Sequence, residues 1–213
     1  MGSPGNGRQG APERALVAFD FDGTLSFRDS FMAFLAWRAG PLAYLLGLVR
    51  LLPAGFAYLA HRDRGRLKAA AVRVFLRGID RARLEASCGD FAGSPLGRRL
   101  IRPDAERCWR SWKERGAELV IVTASPEEVV APFARRLGAD RLIGTRLLYD
   151  SRDRALGAFH GENCRGAEKV ARLEAIYGRG VRLAAAYGDS SGDTEMLGLA
   201  EEKGYRVFTG RPG

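Results

Sequence analysis

The sequence predicts an α/β fold, a Rossmann-like doubly wound parallel sheet into which an all-helical segment is inserted. Three observations carry this prediction. Short apolar, β-branched runs alternate with helical patterns over the second half of the chain. Two apolar runs end in aspartate-bearing turns, within ALVAFDFDGTLS at 15–26 and AAYGDSSGDTEML at 185–197. The stretch from about 28 to 100, between the first two candidate strands, has helical patterns and no convincing strand.

Residues 1–14, MGSPGNGRQGAPER, are rich in Gly and Pro and lack the apolar run of a secretory signal, so they are expected to form a disordered leader. The first strand is expected at 15–19 (ALVAF). Helices follow at 103–115, which opens on Pro103 and Asp104 and closes before Gly116, and at 126–137, with Pro126, Glu127 and Glu128 in its first turn and Gly138 after its last periodic residue. A third runs from Gly166 to Tyr177. The remaining strands are expected at 118–123, 142–147, 183–187 and 205–208. The organisation is thus a leader (1–14), a catalytic core (15–27 and 100–213) and a helical cap (28–99).

Within the cap, residues 31–60 carry only Arg38 and Arg50 as charges. The run 39–60 reaches the roughly 20 residues of a membrane span, but it contains Pro41, Pro53 and a central Arg50. An arginine at mid-bilayer costs about 2.5–3.5 kcal/mol. A buried pair of cap helices and a contact with a membrane surface both remain open, because residues 61–85 follow with eight basic and three acidic side chains.

The chain has 213 residues, 34 Lys and Arg against 25 Asp and Glu, and a formal charge of +9. That surplus raises nucleic acid, anionic lipid and phosphorylated substrates as partners. Aromatics are not interleaved with the basic runs, and no helix-turn-helix or finger signature occurs, so nucleic acid is not expected. Cys88, Cys108 and Cys164 are scattered, which points to a reducing, cytoplasmic setting rather than a disulfide framework or zinc site. His61 and His160 are the two histidines, and neither lies in a metal-ligand pattern, so acid–base chemistry falls to carboxylates or lysine.

On a parallel sheet both aspartate motifs end at one edge, where ligands bind. Asp20, Asp22, Asp189 and Asp193 then crowd one region, and like charges so close need compensation. A hard divalent cation such as Mg²⁺ suits oxygen ligands, and Lys169 in NCRGAEKVARL offers a second source of positive charge. Thr123 ends a strand, and Ser125 precedes Pro126 and a helix. A hydroxyl with free amides at a helix start suits phosphate.

DFDGT at 20–24, Thr123, Lys169 and GDSSGD at 188–193 resemble, in order and interval, the four motifs of the haloacid dehalogenase (HAD) superfamily of phosphohydrolases. The resemblance covers about 15–27 and 100–210. The insert resembles the C1-type cap of the phosphoserine-phosphatase-like branch, subfamily IB. DFDGTLSFRDSFMAFL, the apolar 41–60 segment, NCRGAEKVARL, YGDSSGDTEML and YRVF are similar to the subgroup that includes bacterial phosphatidylglycerophosphatase C.

The resemblance implies a Mg²⁺-dependent phosphomonoester hydrolase. Asp20 is the implied nucleophile, forming an aspartyl-phosphate, and Asp22 the implied general acid and base. Mg²⁺ is implied on the Asp20 carboxylate, the Asp22 backbone carbonyl and Asp189, with Asp193 binding it through water or orienting Lys169. Thr123 and Lys169 are implied to grip the phosphoryl oxygens, helped by amides at 22–24 and 124, with Gly23 letting the backbone approach and Ala124 lining the phosphate. Asp29, nine residues after Asp20, falls where the branch carries an acid that touches substrate, and it equally suits the cap of a helix starting near Ser30. Arg66, Lys68 and Arg73 are candidates for the cap cation. The implied substrate is a phospholipid headgroup such as phosphatidylglycerophosphate. The alternatives are a small phosphometabolite (phosphoserine, histidinol phosphate or similar) and phosphotransfer by the same fold. Peripheral contact with an anionic membrane stays open, and oligomeric state is not legible.

Overall fold

The computed structural model describes residues 14–61 and 64–212, with side chains for all of these except 56–61 and 64. The chain opens on β1 (Leu16–Phe19), followed by α1 (Ser30–His61), α2 (Arg64–Leu76), α3 (Arg81–Gly93), α4 (Pro95–Arg98) and α5 (Pro103–Glu114). Next come β2 (Glu118–Pro126), α6 (Glu127–Leu137), β3 (Arg141–Tyr149), β4 (Ala155–His160), α7 (Ala167–Tyr177) and β5 (Leu183–Gly188). A 3-10 turn at Ser191–Asp193 leads into α8 (Thr194–Gly198) and β6 (Ala200–Tyr205).

Among the described residues, six strands form one sheet in the order β4-β3-β2-β1-β5-β6. β1 pairs in parallel with β2 on one side and β5 on the other, with Phe19 opposite Ile121 and Tyr187. The chain winds outward through β2 and β3, then returns across β1 to β5, so the order reverses at β1. A crevice opens there, at the carboxyl ends of the strands.

β1 is buried on both faces, as a central parallel strand must be. Val17 and Phe19 belong to one apolar layer with Trp109 of α5 and Phe133 of α6. Ala18 faces a second layer with Val122, Leu173 of α7 and Met196 of α8. Phe21, beyond the strand, is fully buried with its ring 5.5 Å from Phe133. It turns into the first layer while its two acidic neighbours turn to the crevice.

Several expected boundaries change. The expected strand at 205–208 is displaced: β6 is Ala200–Tyr205, and the chain leaves the sheet at Arg206 with φ 55°. The edge hairpin partner β4 and the short α8 were not anticipated. β4 runs antiparallel to β3, so the sheet is parallel only in its other pairings. Its turn is set by Asp150, whose Oδ1 accepts the amides of Arg152 and Arg154 at 2.8 and 2.9 Å. α1 is two helical stretches joined at Gly40, where φ of 74° suits glycine. The expected disordered leader lies outside the described residues except for Arg14. That residue is tied down: its guanidinium donates to Gly116 O (2.9 Å) and Ala117 O (3.1 Å).

Trp109 sits at the centre of the first layer, 5.0 Å from the Phe19 ring, and its indole N–H donates to Leu137 O at 3.0 Å. Trp109→Ala is expected to destabilise the fold by about 3–5 kcal/mol, read as a lower urea midpoint at unchanged slope.

Candidate active site

The two residues after β1 receive opposite treatments. Asp20 is buried at the strand end, its amide donating to Tyr187 O at 2.9 Å. Its Oδ1 accepts the Lys169 ammonium at 2.6 Å, and its Oδ2 has the Thr24 hydroxyl at 3.5 Å. Asp22 lies beyond the strand, where Oδ1 accepts the Ser30 amide at 2.7 Å and Oδ2 pairs with the Ser125 hydroxyl. The first turn of α1 and the end of β2 therefore hold Asp22 from two sides. Gly23 follows with φ 86°, and a Cβ there would lie 2.2 Å from Asp189 Oδ2. Any other residue would collide with the β5 motif.

Lys169 projects from the first turn of α7 and is 1% exposed. Its three donors go to Asp20 Oδ1, Asp193 Oδ1 and Val122 O, each at 2.6 Å. Burial pulls its pKa down, but the two carboxylates outweigh this and hold the ammonium above its ordinary value. Burial alone would raise Asp193, yet Lys169 together with the Ser190 amide and hydroxyl keeps its carboxyl low. Asp20 is pushed up to about 7, chiefly by burial and against the pull of Lys169, with Asp193 and Asp22 adding to the rise. Asp189 is raised for the same reasons, burial first and Asp193 second.

Asp20, Asp189 and Asp193 bring carboxylate oxygens within 4.8 Å of one another. Three carboxylates face the single ammonium of Lys169, and two of them have raised pKa values. That uncompensated charge and an all-oxygen donor set fit a hard divalent cation. The Asp22 side chain is engaged elsewhere, so only its backbone is available to such an ion.

A cavity of about 230 Å³ opens over these groups, lined by Asp20, Asp22, Gly23, Thr123, Ala124 and Lys169 among others. Thr123 is fully buried, and its hydroxyl oxygen accepts the Ser125 amide at 3.1 Å. Asp29 and Lys68 also line the cavity. Asp29 Oδ1 accepts the Met32 amide at 2.9 Å, capping α1, while Oδ2 lies 3.5 Å from Lys68 Nζ. The capping expectation for Asp29 therefore holds, and its second oxygen is engaged by Lys68 at the cavity wall. Lys68 donates to Ser125 Oγ at 3.1 Å and lies 3.8 Å from Asp22 Oδ2. Arg66 is not in this cavity. It lines an adjoining groove of about 1010 Å³ with Arg165, Ser190 and Arg206. Arg73 lines neither cavity; its Cα lies 3.0 Å from the position a Cβ on Gly157 of β4 would take.

Arg28, Asn163 and Arg165 also line the central cavity, and no local sequence pattern points to them. Arg165 lies just before α7, outside the helix, so no helical spacing links it to Lys169 in the sequence. Ser125, which the sequence offers as a hydroxyl at a phosphate-suited helix start, stands instead against Asp22.

A buried carboxylate–lysine cluster thus sits at the switch point of a doubly wound sheet, where folds of this class bind their ligands. The chain belongs to the haloacid dehalogenase-like hydrolase family, which matches residues 17–198. It is 58% identical over 200 residues, 94% of this chain and 89% of the relative, to the protein CicA of Caulobacter vibrioides. A probable phosphatase of Mycobacterium tuberculosis is 36% identical over 104 residues, 46% of this chain and 34% of that protein. Among solved structures, a Bordetella pertussis protein of unknown function superposes with a TM-score of 0.72 at 24% identity, covering 87% of this chain and 86% of that one. A substrate-bound phosphoserine phosphatase superposes with a TM-score of 0.63 at 20% identity, covering 93% and 90%. These two structures share the fold.

The raised pKa of Asp20 sets a pH dependence. The folded chain holds that proton to about 7, whereas the unfolded chain releases it near the ordinary 3.8. The folded state binds more protons in between, so the stability of metal-free protein falls as pH rises through that window. The melting temperature without metal is expected to be lower at pH 8 than at pH 5.5. Added Mg²⁺ should raise it more at pH 8, where the carboxylates are open to the ion.

Proposed function

We propose that the protein is a Mg²⁺-dependent phosphomonoester hydrolase that works through an aspartyl-phosphate on Asp20. The observation that carries this reading is the pairing of two differently held carboxylates, Asp20 against Lys169 and Asp22 against Ser30 and Ser125. The names of the Mycobacterium tuberculosis relative and of the phosphoserine phosphatases that share the fold support it.

Asp20, Asp189 and the backbone carbonyl of Asp22 would hold the metal, with Asp193 behind them. When bound, the ion offsets negative charge on the phosphoryl oxygens and the Asp20 carboxylate. An Asp20 oxygen attacks phosphorus in line, forming the O–P bond as the bond to the leaving oxygen breaks. Lys169 and Thr123, with the amides near Ala124 and Gly23, stabilise the phosphoryl oxygens. Asp22 gives its proton to the leaving oxygen and then takes one from the water that attacks the aspartyl-phosphate, restoring free Asp20 and inorganic phosphate. A hydroxyl has one donor and two lone pairs, so Ser125 pairs with Asp22 both before and after the proton moves. Asp29 and Lys68 face the space where a leaving group would sit. A small-metabolite phosphatase and a phosphotransferase share every step up to the aspartyl-phosphate and part only in the group that leaves or accepts.

p-Nitrophenyl phosphate turnover should be abolished by EDTA and restored by Mg²⁺. Asp20→Asn should lose roughly 10³-fold or more in kcat, and full activity in that variant would refute the assigned nucleophile. Ser125→Ala should keep the fold and lower kcat by about 10- to 100-fold, the scale of disturbed acid–base catalysis.

A further inference from the structure

Beyond Gly40, α1 exposes apolar side chains along one face. Leu42, Leu45, Leu46, Val49 and Leu52 are 71, 58, 54, 55 and 53% exposed. Their spacing places them in one stripe. The opposite face is apolar too: Tyr44 packs 5.7 Å from the ring of Phe75 in α2, and Leu51 is buried. Gly47 lets α2 approach so closely that a Cβ would lie 2.1 Å from Phe75. A helix apolar on every side belongs in a core or against lipid, and this one is covered on one side only. Within Ser30–Gly55 an 18-residue window has a mean hydropathy of 1.4, and 22% of that window is buried within the protein. A contiguous exposed apolar stripe marks an interaction surface.

Charge identifies the partner. Apart from Arg66 and Lys68, which face the groove and the cavity, the sequence from Ser30 to Ile79 carries Arg38, Arg50, Arg62, Arg64, Arg73 and Arg77 against Asp63 alone. An apolar face in a basic segment matches an anionic lipid surface. A second copy would set the same basic segment against itself, because a two-fold contact pairs like patches. Crossing the bilayer is opposed by the fold. Phe31, Phe34 and Leu35 of the first stretch are buried in the core. The face turned away from solvent packs on α2, which carries Lys68 and Arg73, and these would be drawn into hydrocarbon.

We propose that the Leu42–Leu52 face of α1 docks the protein peripherally onto anionic phospholipid surfaces. The proposal goes beyond the phosphatase reading and needs none of the site residues. α2, against which this face is braced, also delivers Lys68 to the cavity, so surface and site share one support.

The test is flotation of the full chain with phosphatidylcholine vesicles, with and without about 30% phosphatidylglycerol, at low and high salt. Association is expected with the anionic vesicles, weakening as salt rises. The double variant Leu45→Glu/Val49→Glu should lower bound protein roughly tenfold or more while keeping its helical circular dichroism and its p-nitrophenyl phosphate turnover. Absence of association by the unaltered chain overturns the proposal, as does equal binding by the folded variant. A dimer in light scattering that the double variant dissociates assigns the face to a second copy and likewise overturns it. Loss of phosphatase activity in the unaltered chain would refute the catalytic reading alone, since vesicle binding is read separately.

Discussion

The site rests on one buried ammonium. Lys169 lies between Asp20 and Asp193 and spends its third donor on the carbonyl of Val122, so a single charge joins α7, the ends of β1 and β2, and the turn after β5. Three donors and three acceptors are matched at the buried floor of the cavity. Burying such a group is costly unless every partner is present, and here every partner comes from a different part of the chain. The arrangement therefore forms only when the sheet is assembled, and it leaves negative charge unbalanced on the Asp20 and Asp189 side, where a divalent cation fits.

Strand order explains why these groups meet. β1 stands between β2 and β5, and both carboxylate motifs leave the sheet at the same edge. The insert then adds its own contributions. The first amide of α1 holds Asp22, and α2 brings Lys68 within reach of Ser125, Asp22 and Asp29. The helices that cover the crevice are thus bonded directly to Asp22, and under the mechanism proposed above this would couple recognition of a leaving group to the position of the acid. The same helices carry an apolar face turned to solvent, so the insert has both a surface that faces the site and one that faces outward.

Much of this was legible in the chain. Asp20, Asp22, Lys169, Asp189 and Asp193 could be picked out because carboxylates at the ends of apolar strands are electrostatically improbable without a shared counter-charge. The flanking Gly and Pro residues marked α5 and α6 within a residue or so. β4 was hidden because ALGAFH has no clear alternation, and its pairing depends on the Asp150 turn. The 205–208 stretch looked like a strand by composition, yet the register of β5 with β6 places pairing earlier, over Ala200–Tyr205. Ser125 read as a helix-start hydroxyl because nothing local indicates that Asp22, over a hundred residues away, faces it. Arg66 and Lys68 looked equivalent two residues apart, and the rotation of α2 sends one to the groove and the other to the cavity.

By itself the sequence determined the architecture and which acids and lysine gather at the site, because both are written in local patterns: strand-length apolar runs, helix-boundary residues and acids at fixed intervals. Tertiary structure alone decided what each group does for its neighbours. Which carboxylate shares the ammonium, which one is held by a hydroxyl, which cation of α2 reaches the cavity and which face of α1 stays bare all depend on distances between segments remote in the chain. Those distances follow from strand order and helix packing, which no local pattern encodes.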